Sequence, residues 1–185
     1  MPQIIVGIDP SLTGTAICAL DSASLNILRI CTFYVADKMF GVARLNFLMK
    51  ALSKNLNTIS AFGKPEIFIE GYAFGARGQS IFNLGELGGI YRLLLAKQWG
   101  GYYEVPPMSL KKFITGKGNS NKQVMLEKTF RKYGIGSEIL QDDNQVDAFG
   151  LAHFGLSFLK FKAGNRDLIA YEKEAVSKTK EKCTL

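Results

Sequence analysis

The chain opens on an apolar run, Ile4, Ile5, Val6 and Ile8, that ends directly in the carboxylate of Asp9. A short run of this kind, bounded by the turn residues Pro10 and Gly14, predicts a buried strand. Residues 15–20 predict a second strand, and a turn over 21–24 leads into a third at 27–36. Connections this short impose antiparallel pairing. The period then changes: Phe40, Ala43, Phe47, Ala51, Leu52, Leu56 and Ile59 keep mostly helical spacing and predict an amphipathic helix, ended by Gly63 and Pro65. Residues 66–70, EIFIE, predict a fourth strand that again finishes in an acid, Glu70, followed by glycine.

The second half continues in the same alternation. A helix is predicted over residues 80–98, apolar on a wide face, with Gly85, Gly88 and Gly89 in its interior. Interior glycine costs about 1 kcal/mol relative to alanine, so three of them point to close approach of another backbone, from its own sheet or from a partner helix. Residues 102–105 predict a short fifth strand, stopped by Pro106 and Pro107. Residues 109–122 then read as a loop of small residues carrying Lys111, Lys112, Lys117 and Lys122. A helix over 122–133 stops at Gly134. The last long helix starts at Asp142, Asp143 and Asn144, where negative charge complements the helix dipole, and carries Asp147 on the stripe continued by Leu151, Phe154 and Phe158. Residues 164–185 mix charges with few large apolar side chains and read as a solvated helix or frayed tail beyond a domain spanning 1–163.

Topology gives the acids a meaning. If the first helix is a right-handed crossover, the fourth strand lies parallel to the first, and Asp9 and Glu70 finish at one sheet edge. Two carboxylates about 4 Å apart repel by roughly 4 kcal/mol at an effective dielectric of 20, so the pair calls for a cation, a shared proton or basic side chains. Taken singly, Asp9 reads equally as an Asp-Pro turn former, and the lesser alternative for Glu70 is an exposed strand end. Asp147 is harder to dismiss, because an acid on an apolar helix face costs stability unless it is paired or holds metal.

Charge and composition narrow the partners. A formal net charge of +7 points to a polyanion. The basic stretch 109–122 permits close approach to a phosphate backbone or is a set of solvated lysines. Tyr72, Phe74 and Arg77, in the glycine-bearing stretch 71–78, suit stacking on unpaired bases and phosphate contact, or plain packing. Three cysteines without CxxC spacing argue for a reducing, cytoplasmic compartment and against a zinc site. No run approaches the ~18 apolar residues of a membrane helix, and the sequence around Gly116 and Lys117 does not satisfy GxxxxGK[ST], which excludes a nucleotide-binding P-loop.

The order of parts, a strand ending GIDPSLTGTA, a strand ending IEG and a late acidic helix DDNQVDAFGLAH, is similar to the RuvC-like Holliday-junction resolvases of the ribonuclease H-like superfamily. The resemblance covers roughly residues 3–160. It implies an α/β fold with a five-stranded mixed sheet, three antiparallel strands and then parallel strands reached by helical crossovers, flanked by helices. It further implies a homodimer that nicks branched DNA, the four-way junction, as a metal-dependent endonuclease. Asp9, Glu70 and Asp147 correspond to acids that hold two Mg²⁺ ions, with Mn²⁺ as a substitute. The family's fourth ligand falls three residues before the final acid, where this chain has Asn144. Asp143, one position earlier, is assigned that place, with Asn144 as a neutral alternative. Lys111 and Lys122 stand at the separation of the family's two DNA-contacting lysines, Lys122 is counted with the catalytic groups, and Tyr72 or Phe74 corresponds to its aromatic wedge. His153, the single histidine, is read as structural. The rival readings are a ribonuclease H-like nuclease acting on RNA or RNA–DNA hybrids, and a junction binder that does not cut.

Overall fold

A computed structural model describes residues 3–72 and 80–185. Five strands, β1 (Ile4–Asp9), β2 (Gly14–Asp21), β3 (Ile27–Tyr34), β4 (Pro65–Glu70) and β5 (Tyr103–Val105), form one sheet in the order β3-β2-β1-β4-β5. The first three pair antiparallel through short turns, β4 runs parallel to β1, and β5 runs parallel to β4. Parallel neighbours need long crossovers. Here α1 (Gly41–Ser60) carries the chain from β3 to β4, and α2 (Ser80–Trp99) stands between β4 and β5. The mixed sheet expected from the strand pattern is the sheet observed.

Alternation along the strands decides which helix each residue meets. On β1, Ile4, Val6 and Ile8 share a core with Leu48, Leu52 and Leu56 of α1 and with Leu87, Tyr91 and Leu95 of α2. Ile5 packs on the opposite face with Leu151 and Phe154 of α5 (Asp143–Lys162). The same period puts Ile67 and Ile69 of β4 with α1 and α2, and Phe68 with α5. Asp9 and Glu70 therefore belong to the α5 face. Gly7 completes the arrangement: a Cβ there would overlap the carbonyl oxygen of Ala148 and the amide nitrogen of Ala152, so the backbone of α5 lies directly on β1.

Two segments differ from the sequence expectation. Pro107 does not merely stop β5; it opens α3 (Pro107–Thr115), where a proline's missing N–H would be unpaired anyway. Lys111 and Lys112 consequently sit on a helix and diverge, and the small-residue loop shrinks to the stretch between Thr115 and α4 (Lys122–Tyr133). The C-terminal segment is packed: in α6 (Ala170–Ser177), Ala175 and Val176 are fully buried, and Glu172 accepts from Lys132 at 2.6 Å. Beyond α6, Tyr102 and Cys183 exchange backbone hydrogen bonds of 3.1 and 2.8 Å. Among the described residues no helix is long and apolar enough to cross a membrane.

Candidate active site

Three local structures deliver three acids to one end of the sheet. Asp9 is the last residue of β1 and is only 7% exposed. The turn after it is held by Thr15, whose buried hydroxyl donates to the Ser11 carbonyl (3.1 Å) and accepts from the Ser11 N–H (3.2 Å) and the Tyr91 hydroxyl (2.9 Å). Glu70 ends β4, one residue beyond the Ile8–Ile69 rung, and so stands beside Asp9. Asp147 arrives from α5. Because Gly7 seats the helix at Ala148 and Ala152, the helix residue just ahead of that contact comes over the end of the strand, two residues on from Gly7.

The start of α5 is fixed by Asp142, whose sequence position predicts only a helix cap. One carboxylate oxygen does accept from the Gln145 N–H at 2.8 Å. The other accepts from the Thr32 hydroxyl (2.7 Å) and the Tyr34 hydroxyl (2.6 Å), tying the helix to the outer strand β3. Burial works to raise the Asp142 pKa, but these hydrogen bonds to the charged form outweigh it and hold it below the usual range. Asn144 donates to the Gly14 carbonyl at 3.1 Å and so clips the same helix end to β2. No period or motif in the sequence signals the bonds to Thr32 and Tyr34, because they join positions more than a hundred residues apart.

Electrostatics shows how tightly the acids are grouped. Burial, then the charges of Glu70 and Asp147, raise the Asp9 carboxyl well above its ordinary range, against the opposing charge of Lys122. Glu70 is raised to about 7, by burial first and then by Asp147, against the pull of Lys111 and Lys122. Asp147 is raised to about 6 by burial, with Lys122 opposing and Asp143 adding to the rise. Glu70 and Asp147 thus respond to the same two cations, Lys111 and Lys122, and Asp9 to Lys122.

A cleft of about 210 Å³ opens at this edge, lined by Glu70, Asp143 and Asp147 together with Lys111, Lys122 and Met125, while Asp9 lies outside its lining. Lys122 bridges its mouth and meets Asp143 at 3.3 Å, with both side chains largely exposed. Asp143 faces this cleft, whereas the amide of Asn144 is turned to Gly14. Lys112 points away from the cleft and pairs with Glu174 of α6, and Lys117 is exposed beyond α3. Tyr72 lies against α2: its hydroxyl reaches the Gly85 carbonyl at 3.4 Å, and the Arg92 guanidinium covers its ring at 4.1 Å from the centroid. Gly88 makes room for that ring, so its lack of a side chain answers to Tyr72 of the same chain. Phe74 and Arg77 lie outside the described residues. His153 is wedged between Tyr133 and Phe149 and is lowered to about 4 by burial, with Lys132 and Lys160 adding to the effect, in keeping with a packing role.

The donors at this edge are all hard carboxylate oxygens, the set that Mg²⁺ or Mn²⁺ takes, without the thiolate or imidazole that selects zinc or copper. Among the described residues no three such side chains already surround one coordination point. Crowded carboxylates that hold protons well above their normal range still form a site that a divalent cation relieves, so the residues fit the ion.

Three antiparallel strands continued by two parallel ones, with helices on both faces and acids at the ends of the two central strands, define the ribonuclease H-like class of α/β proteins. The family model described as crossover junction endodeoxyribonuclease RuvC matches residues 5–153, and the chain belongs to that family. Among similar proteins, the crossover junction endodeoxyribonuclease RuvC of Sulfurovum sp. (strain NBC37-1) is 27% identical over 161 residues, covering 85% of this chain and 98% of the relative. That of Campylobacter hominis is 25% identical, covering 80% and 92%. The Thermus thermophilus RuvC structure superposes with a TM-score of 0.65 at 18% identity, over 87% of this chain and 96% of that one. The same protein solved in complex with a Holliday junction substrate gives 0.65 at 15% identity, over 86% and 94%.

Proposed function

We propose that the chain resolves four-way DNA junctions by hydrolysing phosphodiesters at the cleft, with Asp9, Glu70 and Asp147 holding two Mg²⁺ ions and Asp143 completing the set. The observation that supports this reading is an open cleft at the strand ends lined by Glu70, Asp143 and Asp147 with Lys111 and Lys122, with Asp9 buried at the end of the neighbouring strand. With all four acids ionised, four carboxylates against two ammonium groups give the site a net charge near −2, which repels a phosphodiester unless divalent cations enter. When bound, such ions supply an activated water nucleophile and stabilise charge on the attacking and leaving oxygens. The chain's own residues do the rest. The Thr15 turn holds the backbone after Asp9, and the seating of α5 brings Asp147 to the same edge, while β4 delivers Glu70 beside them. Lys111 and Lys122 flank the cleft as phosphate contacts, and the exposed Lys122 can follow the backbone across the mouth.

A homodimer fits the outer face of α2. Phe82 and Leu93 are 75% and 51% exposed, and among the described residues nothing lies within 4 Å of where side chains at Gly85 and Gly89 would project. That stripe suits packing against a second copy, which would present two clefts to opposite strands of a junction. The test is a synthetic four-way junction with labelled arms in Mg²⁺. Symmetrical paired nicks are expected, abolished by Asp9→Asn and absent in EDTA. Equal cutting of linear duplex or of an RNA–DNA hybrid would refute junction selectivity, and tight binding without cleavage in Mg²⁺ or Mn²⁺ would leave a non-cutting binder.

A further inference from the structure

Glu70 faces a problem that its strand does not solve. It ends β4, its pairing with β1 extends only as far as Ile69, and β5 supports it through a single last rung, Glu70 opposite Val105. The charge of Asp147 acts against it across the cleft that both residues line. Arg92 of α2 addresses the same point. Its Nε donates to Glu104 of β5 at 2.8 Å, its Nη2 reaches the main-chain carbonyl of Glu70 in a long bond of 3.4 Å, and its flat face covers Tyr72. The Gly71 N–H meets the Val105 carbonyl at 2.8 Å beside them. The Arg92 side chain is only 13% exposed, and its charge is matched by Glu104.

We infer that Arg92, aimed by Glu104, is a positioning residue: it clamps the chain immediately after the Glu70 side chain, at the Glu70 carbonyl and at Tyr72, and so sets that carboxylate for the metal. This rests on the reading of Glu70 as a metal ligand. Three directions of contact from one planar group are available to a guanidinium and not to an ammonium. Tyr72 then serves as the face of this clamp.

The sign of the metal effect separates positioning from charge. Removing a cation near a divalent site tightens metal binding, whereas letting Glu70 drift weakens it. Mn²⁺ binding to the full-length protein, followed by calorimetry without DNA, is the primary readout, and single-turnover cleavage of the labelled junction is the second. Partners that orient a ligand are worth about 10-fold or more in affinity or rate, so Arg92→Gln and Arg92→Lys are each expected to weaken Mn²⁺ binding about 10-fold, and to slow cleavage comparably at unchanged junction affinity. Glu104→Gln is expected to act in the same direction and carries the test should an Arg92 variant not fold. Unchanged or tighter Mn²⁺ binding, rescue by lysine, or a fall in melting temperature without a change in Mn²⁺ binding would overturn the inference. A wild type that binds Mn²⁺ in this Arg92-dependent way yet leaves junctions intact would refute junction cleavage and support the clamp.

Discussion

Glu70→Gln is expected to make the metal-free protein more stable while it abolishes cleavage. The folded protein holds the Glu70 carboxyl at about 7 against an ordinary 4.5, because burial, and after it the charge of Asp147, disfavour its ionised form. A carboxyl whose pKa is raised on folding contributes stability that is fully present below its unfolded value and is lost as pH rises through the folded value. The loss for Glu70 therefore falls between about pH 4.5 and pH 7. A tenfold change in proton affinity on folding is worth about 1.4 kcal/mol, so the charged carboxylate costs under about 1 kcal/mol at pH 5 and about 3 kcal/mol at pH 8. Glutamine keeps the shape, removes the charge and supplies an N–H₂ toward Asp9. For a domain of this size, about 3 kcal/mol corresponds to a rise in melting temperature of roughly 6–12 °C. Thermal melts of the two proteins in EDTA at pH 5 and pH 8 test this: a gain at pH 8 that nearly vanishes at pH 5 is expected, with the order reversed once saturating Mg²⁺ stabilises the wild type alone. No gain at pH 8, or an equal gain at both pH values, would refute the crowding of acids from which the site is built.

Further expectations concern the frame and the DNA contacts. Gly7→Ala forces a methyl group into the backbone of α5 and is expected to destabilise by about 3 kcal/mol or more, read as a fall in urea midpoint. Asp142→Ala removes a helix cap and two hydroxyl bonds to a charged acceptor, for a loss of about 2–4 kcal/mol; Tyr34→Phe, which deletes one of those bonds, should lose about 1 kcal/mol. On DNA, Lys122→Ala should flatten the log–log salt dependence of junction binding by about 0.9. Lys112→Ala should leave that slope unchanged, since Lys112 faces Glu174 and not the cleft; equal effects of the two substitutions would remove the distinction.

The distance between sequence and structure is uneven across these residues. Asp9 and Glu70 are legible in the sequence because a strand is a local object: its apolar run, its end and the acid at that end lie within a few residues, and a crossover of known hand then makes the two ends neighbours. Asp147 is legible as an acid out of place on an apolar helix face. The lysines of residues 109–122 do not form the single basic loop that their spacing suggests, because Pro106 and Pro107 look like a stop when the second of them in fact begins a helix. Proline at a first helical position is the signal that identifies α3, and a helix separates adjacent residues by about 100°. That angle alone sends Lys111 to the acids and Lys112 to α6.

The order of strands and the placing of acids at the ends of β1 and β4 and on the inner face of α5 were set by the chain's local pattern, because hydrophobic period and turn chemistry act over short range. Other features rest on contacts between distant residues. They include Gly7 as the seat of α5, Asp142 as its tie to Thr32 and Tyr34, and Arg92 reaching both Glu104 and the Glu70 carbonyl. So does the packing of the C-terminal segment through Glu172 and Cys183. Such contacts exist only after packing has chosen which faces meet, and no window of sequence contains both partners.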